Sequence, residues 1–188
     1  DLTVKEIVNA AFGSAGERCM ACSVVVAVGD IGDVLVERLV DAANKITIGN
    51  GNEDGIFLGP VIRGPHKART ISYIETGEKE GAILLRDGRN DAASSGEGYF
   101  VGPTIFDQVQ CDMKIWEDEI FAPVLSIVRV ATLEEAIELA NRSDFANGAC
   151  IFTDSGSSVR QFRLRAAKPT YVSSWPAVQS SFFMEAWA

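Results

Sequence analysis

Apolar residues follow two alternating patterns along the chain, one typical of buried strands and one typical of helices. The continuous apolar run at residues 23–28 predicts a strand that is covered on both faces, as strands of parallel sheets are, and residues 124–130 predict the next clearest strand. Between them, apolar residues return every three or four positions in the helix predicted over residues 32–45. Strands that alternate with helices predict an α/β fold with a mostly parallel sheet flanked by helices.

The same two patterns predict the remaining elements. Helices are expected at 1–12, 67–80, after Thr132 and from 157, and strands at 82–85, 99–106 and 149–153. Thr132 followed by Glu135 forms a capping box at the start of its helix. Two segments rich in small and polar residues, 46–55 and 87–98, predict loops, and the second is expected to be a solvent-exposed hairpin tip or a loose loop.

A glycine-containing segment near the start, Gly13-Ser-Ala-Gly-Glu-Arg-Cys19, carries the clearest chemical signal. Its glycines allow positive φ angles and close backbone approach. The Arg18 guanidinium next to the Cys19 thiol favours the thiolate, which is the nucleophilic form of cysteine. The alternative is a buried, unreactive thiol, which is the usual state of a free cysteine. Cys22, which leads directly into an apolar run, is interpreted in that second way.

This segment resembles the catalytic-cysteine motif of the aldehyde dehydrogenase superfamily, in which an aromatic residue, a glycine and a Glu or Gln precede the nucleophile. A second segment, Glu119-Ile-Phe-Ala-Pro123, resembles the family's Glu-x-Phe-Gly-Pro element, with alanine where glycine is usual. The resemblance implies that Cys19 attacks an aldehyde carbon. It also implies that Glu119 holds the nicotinamide ribose of NAD and that Phe121 packs against the cofactor.

Within that superfamily, the residues around Cys19 most resemble the branch that oxidises methylmalonate and malonate semialdehydes. This resemblance implies a homo-oligomer that uses NAD, needs coenzyme A as co-substrate, holds no metal and releases an acyl-CoA and carbon dioxide. Arg18 then has a hypothetical role as the group that binds the substrate carboxylate, because a guanidinium can do so in bidentate fashion. A surface salt bridge is the alternative role for Arg18.

The resemblance also implies the domain organisation. Residues 1–163 correspond to an aldehyde dehydrogenase catalytic domain with a Rossmann-like fold, and residues 164–188 form a divergent C-terminal tail. The family's NAD-binding domain lies upstream of the cysteine, so we interpret the chain as a catalytic domain without it. We expect the isolated chain to bind NAD poorly and to turn over little substrate.

Composition excludes several classes of function. The 188 residues carry a formal net charge of −9 and no basic cluster, which argues against nucleic acids and anionic membranes as partners. No apolar stretch reaches the roughly 18 residues that a membrane span needs. Four cysteines without the spacing of a disulfide framework indicate free thiols in a reducing compartment, by default the cytoplasm.

Two other functions stay open at this stage. Cys19 and Cys22 form a Cys-x-x-Cys pair, which is also found in thiol redox proteins and in zinc sites. A zinc site would need further ligands, and His66, the single histidine, is interpreted as a helix-start residue. A thioredoxin-like pair would precede a helix, whereas a strand is predicted here. The other alternative is a non-catalytic interaction module that keeps the fold without a cofactor.

Overall fold

The computed structural model describes residues 2–144, 148–167, 170–173 and 182–186, the last two ranges by their backbone alone. None of the helices in these ranges is long and apolar enough to cross a membrane. The helices are α1 Leu2–Phe12, α2 Gly32–Ala43, α3 Gly64–Glu80, α4 Ala92–Ser95, α5 Lys114–Glu117, α6 Leu133–Arg142 and α7 Gly156–Arg165. The strands are β1 Cys22–Val28, β2 Ile83–Arg86, β3 Thr104–Asp107, β4 Val124–Val130, β5 Gly148–Phe152, β6 Thr170–Ser173 and β7 Phe182–Ala186.

The described strands form one seven-stranded sheet in the order β2-β3-β4-β1-β7-β5-β6. β1 pairs in parallel with β4, β4 with β3, and β5 with β6. β2 and β7 run against their neighbours, so the other five strands all point the same way. The predicted α/β class, with a mostly parallel sheet flanked by helices, is confirmed.

β1 lies at the centre of the core and is buried on both faces. Its alternate residues point to opposite sides of the sheet, as the pleat of a strand requires. Val24 and Val26 belong to the hydrophobic cluster that includes Ile74 of α3 and Phe162 of α7. Val25, by contrast, belongs to the cluster formed with α1 and α2. The continuous apolar run in the sequence reflects this two-sided burial.

The polar segment at residues 87–98 is ordered by short elements and by tight backbone contacts. It contains a 3₁₀ turn at Gly88–Asn90 and the helix α4. The Ser94 hydroxyl donates to the Gly88 carbonyl at 2.7 Å and accepts from the Gly102 amide at 3.1 Å. A Cβ atom at Gly88 would lie 1.9 Å from the Gly102 oxygen, so only glycine permits this approach. Because β2 and β3 pair antiparallel on either side of this segment, it is the tip of a hairpin, which is one of the two predicted forms, and it is not a loose loop.

Strands also occur in the segment interpreted as a divergent tail. The sequence pattern predicts no element beyond α7, but β6 forms an edge of the sheet and β7 lies between β1 and β5. Residues 168–169, 174–181 and 187–188 of the tail lie outside the described residues. The domain boundary at residue 163 remains a prediction.

Candidate active site

The segment between α1 and β1 opens with three consecutive residues in the left-handed region. Ser14, Ala15 and Gly16 have φ angles of 54°, 55° and 71°. This conformation costs roughly 1–2 kcal/mol for each non-glycine residue. Packing maintains this conformation of the segment. Gly16 approaches Ala122 so closely that a Cβ atom at Gly16 would lie 2.3 Å from the Ala122 carbonyl oxygen. The segment before Cys19 thus packs directly against the backbone of Ala122, the residue that follows Phe121.

Cys19 lies on the turn that leads into β1. The Ala21 amide donates to the Arg18 carbonyl at 3.0 Å and closes this turn, and Cys19 is exposed. Cys22 is 1% exposed, and its thiol lies 3.4 Å from the Val24 carbonyl oxygen. The pair therefore occupies a helix-to-strand connection, the opposite order to the one that thioredoxin-like chemistry uses. Only Cys19 of the two is available to a substrate.

The four cysteines give no indication of a disulfide or metal framework. All four are free thiols. In the described ranges, no group of three or more His, Cys, Asp or Glu side chains is arranged to hold a metal ion.

Arg18 is exposed and anchored to the end of α1. Its Nη2 donates to the carbonyls of Asn9 at 2.6 Å and Ala10 at 3.0 Å. Carbonyls in the last turn of a helix lack intrahelical partners and form the negative end of its dipole. Within the described part of the chain, Arg18 pairs with no carboxylate, in contrast to the surface salt bridge considered as its alternative role. A guanidinium has five donors, so this anchoring leaves capacity for a second acceptor.

The Glu119–Phe121 segment connects α5 to β4 and faces the cysteine segment. Phe121 is half-buried and has a φ angle of 57°, which an aromatic residue rarely adopts. Glu119 is also half-buried, and its carboxylate has no hydrogen-bond partner among the described residues. A carboxylate with acceptor capacity beside an accessible ring is the combination of acceptor and packing surface that a ribose with its attached base requires.

A small cavity lies where the two segments meet. It measures about 20 Å³, and its walls include Arg18, Ser23, Glu119 and Phe121. The Ser23 hydroxyl is buried and has no hydrogen-bond partner in the part of the chain that the structure describes. The structure therefore brings three of the four sequence-predicted site residues to one cavity, while Cys19 lies on the adjoining turn outside its walls.

Helix α3 holds the backbone of the Glu119–Phe121 segment. His66 Nε2 lies 2.7 Å from the Phe121 carbonyl oxygen, and Arg69 donates to the carbonyl of Glu119 at 2.8 Å. Tyr73 follows on the same face of the helix and donates to Asp118 at 2.9 Å. His66, Arg69 and Tyr73 occupy positions i, i+3 and i+7 of α3. This spacing of polar residues is the sequence signal that could have revealed the contact face.

His66 also contacts the cysteine segment. Its Nε2 lies 3.4 Å from Oε1 of Glu17, and both side chains are largely buried, with 11% and 17% of their surfaces exposed. The same Glu17 oxygen accepts a hydrogen bond from the Ile62 amide at 3.1 Å. His66 is in the first turn of α3, as expected of a helix-start residue, but the sequence interpretation missed its contacts with both motifs.

Tyr73→Phe is expected to raise the pKa of Asp118. The Tyr73 hydroxyl stabilises the ionised carboxylate and, together with Lys114, lowers the pKa of Asp118 below its ordinary value. A lowered pKa means that the Asp118 charge contributes stability above the ordinary value of about 3.9, and that this contribution is lost as the pH falls through the folded-state pKa. Carboxyl ¹³C NMR titration measures the shift. Tyr99→Phe is the control, and an equal effect of both variants would contradict the assignment.

Comparison with known proteins agrees with the arrangement of these motifs. The model of the aldehyde dehydrogenase family matches residues 1–170. Malonate-semialdehyde dehydrogenase 1 of Geobacillus thermodenitrificans is 75% identical over 162 residues, which cover 86% of this chain and 34% of that protein.

Solved structures show the same fold. The crystal structure of methylmalonate-semialdehyde dehydrogenase from Oceanimonas doudoroffii matches 90% of this chain and 36% of its own, with 41% identity and a TM-score of 0.87. Betaine aldehyde dehydrogenase from Staphylococcus aureus in complex with NAD+ matches 95% of this chain and 36% of its own, with 27% identity and a TM-score of 0.87. The chain thus spans about a third of the length of these proteins. Since the family model covers nearly all of the described residues, the chain belongs to the aldehyde dehydrogenase family.

Proposed function

We propose that this chain is the catalytic part of an NAD-dependent, coenzyme A-acylating dehydrogenase of malonate or methylmalonate semialdehyde. The observation that carries the proposal is the close packing of Gly16 against Ala122, which brings the Cys19 segment against the Glu119–Phe121 segment. The relatives that are named for these two semialdehydes support the substrate class. The four free thiols are consistent with a reducing compartment, and we propose a cytoplasmic homo-oligomer.

Cys19 is the nucleophile in the proposed mechanism. Its thiolate forms a bond to the aldehyde carbon while the carbonyl electron pair moves to oxygen. The resulting oxyanion requires hydrogen-bond donors, and the Cys19 backbone amide is suited to supply one. Loss of hydride from the same carbon leaves a thioester on Cys19. The carboxylate substituent then departs as carbon dioxide, its bonding electron pair forms the thioester enolate, and the enolate carbon takes up a proton. The thiol of coenzyme A loses its proton, adds to the thioester carbonyl and displaces Cys19 as the thiolate, which releases the acyl group as acyl-CoA.

Glu119 and Phe121 are suited to the nicotinamide end of NAD. The Glu119 carboxylate, which has no hydrogen-bond partner among the described residues, can accept hydrogen bonds from ribose hydroxyls, and the half-buried Phe121 ring offers a packing surface beside it. When bound there, NAD supplies the hydride acceptor. The role of this chain would be to hold the ribose through Glu119 and the nicotinamide ring against Phe121.

Arg18 determines specificity for a carboxylate-bearing aldehyde in this proposal. Arg18→Met in the complete protein is expected to lower kcat/KM for malonate semialdehyde roughly 10–100-fold, since hydrogen bonds to charged groups contribute about 1.5–3 kcal/mol. Arg18→Lys keeps the charge without the bidentate geometry, so an intermediate loss is expected.

Propanal, which lacks the carboxylate, provides the control substrate for the same variants. Arg18 also anchors α1, and damage to that anchor would lower the activity on both aldehydes. A selective loss with malonate semialdehyde supports carboxylate binding. Equal losses with the two aldehydes would leave Arg18 with a structural role alone.

A further inference from the structure

We propose that His66 is a positioning residue that couples the cysteine segment, Glu17–Cys19, to the cofactor segment, Glu119–Phe121. This inference rests on the proposed function, because it assigns a role in NAD-dependent turnover at the same site. His66 comes from neither motif, and it reaches both through one ring nitrogen.

The geometry determines what that nitrogen does. Nε2 lies 2.7 Å from the Phe121 carbonyl oxygen, which can only accept a hydrogen bond. His66 Nε2 must therefore carry a proton and donate it to this oxygen. The Glu17 carboxylate, on the opposite segment, lies 3.4 Å from the same nitrogen, close enough for electrostatic attraction. Its negative charge attracts the N–H dipole of the ring.

The Phe121 carbonyl belongs to a residue whose backbone requires support. Phe121 is in the left-handed region, with a φ of 57°, and loss of its carbonyl partner would allow the residue to relax. A change in φ or ψ there would turn the ring and move Glu119 two residues before it. The bond from His66 thus fixes the orientation of the two groups proposed to hold the cofactor.

Glu17 connects the same histidine to the nucleophile. Its Oε1 contacts His66 and accepts from the Ile62 amide, and Cys19 lies two residues later on an exposed turn. Because one ring nitrogen makes both contacts, a shift of the first turn of α3 would alter the contacts with the Glu17 carboxylate and the Phe121 carbonyl together. His66 therefore sets the position of the cofactor segment relative to the turn that carries the thiol.

The test compares two polar variants in the complete protein. His66→Gln places an amide donor where Nε2 lies, whereas His66→Asn places it near the position of Nδ1, too far from the Phe121 carbonyl. We expect His66→Asn to raise KM for NAD at least about tenfold and to slow acylation of Cys19, with KM for malonate semialdehyde nearly unchanged. His66→Gln should restore most of the wild-type KM for NAD.

Lys67→Met is the matched control. Lys67 is the next residue of α3, and its ammonium donates to the Ser94 carbonyl at 2.7 Å, away from both segments. We expect its KM for NAD to stay close to the wild-type value. A second measurement, the rate of Cys19 alkylation by iodoacetamide with and without saturating NAD, does not depend on turnover. NAD should change this rate in the wild type and in His66→Gln, but much less in His66→Asn.

The outcomes separate this inference from the proposed function. If the wild-type protein does not oxidise malonate semialdehyde, the proposed function fails whatever the variants do. If the wild type is active and His66→Asn keeps its KM for NAD, the coupling by His66 is wrong. It is also wrong if His66→Gln is as impaired as His66→Asn, or if Lys67→Met shows the same loss.

Discussion

Cys19→Ser is expected to abolish aldehyde oxidation by the complete protein. The serine hydroxyl fits the same exposed turn, but it ionises far less readily than a thiol and is a much weaker nucleophile. Removal of a catalytic nucleophile lowers kcat by roughly 10³-fold or more. We therefore expect no burst of NADH and no acylated peptide containing residue 19, measured by absorbance and by mass spectrometry after addition of malonate semialdehyde.

Cys111→Ser is the matched control for this experiment. Burial raises the pKa of the Cys111 thiol, so Cys111 is a poorer nucleophile than an exposed thiol near neutral pH. Its replacement should leave the burst unchanged. An undiminished burst from Cys19→Ser would remove Cys19 from the nucleophilic role.

The wild-type protein also tests the alternative that Cys19 and Cys22 form a thiol redox pair. A redox-active Cys-x-x-Cys pair would reduce the disulfides of insulin, and it would need both sulfurs. Cys22 is 1% exposed within β1, where an incoming disulfide cannot reach it without opening the strand. We therefore expect no insulin reduction by the wild-type protein.

The sequence determined much of the fold because its strongest signals are local. The apolar run of β1, the spacing of α2 and the capping box of Thr132 each depend on neighbouring residues, and the structure contains all three elements. β7 could not be predicted in the same way. Its position between β1 and β5 arises from pairing with strands distant in sequence, which a local pattern does not encode.

The site shows the same division between local and distant information. Arg18, Glu119 and Phe121 were indicated by short motifs, and the structure brings them to one cavity. His66 carries no motif of its own. Its partners lie 55 residues away at Phe121 and 49 residues away at Glu17, counted as 121 − 66 and 66 − 17. A contact across such distances becomes visible only when the position of α3 against both segments is known.

Of the substitutions proposed, Gly16→Ala is expected to lower the free energy of unfolding the most. Gly16 has a φ of 71°, and a Cβ atom there would lie 2.3 Å from the Ala122 oxygen and 3.0 Å from the Pro123 nitrogen. The backbone penalty of roughly 1–2 kcal/mol adds to an overpacking cost of roughly 1–3 kcal/mol, so the free energy of unfolding should fall by about 2–5 kcal/mol. Urea unfolding of the complete protein measures the change.

Gly55→Ala separates the two contributions. Gly55 has a similar φ of 81°, but no atom lies within 4 Å of the Cβ that alanine would add. It should therefore show the backbone penalty alone. The clash at residue 16 involves the main chain of Ala122, so adding Ala122→Gly to Gly16→Ala should restore little stability. Equal losses for Gly16→Ala and Gly55→Ala, or rescue by Ala122→Gly, would show that the close contact between the two motifs does not require glycine at position 16.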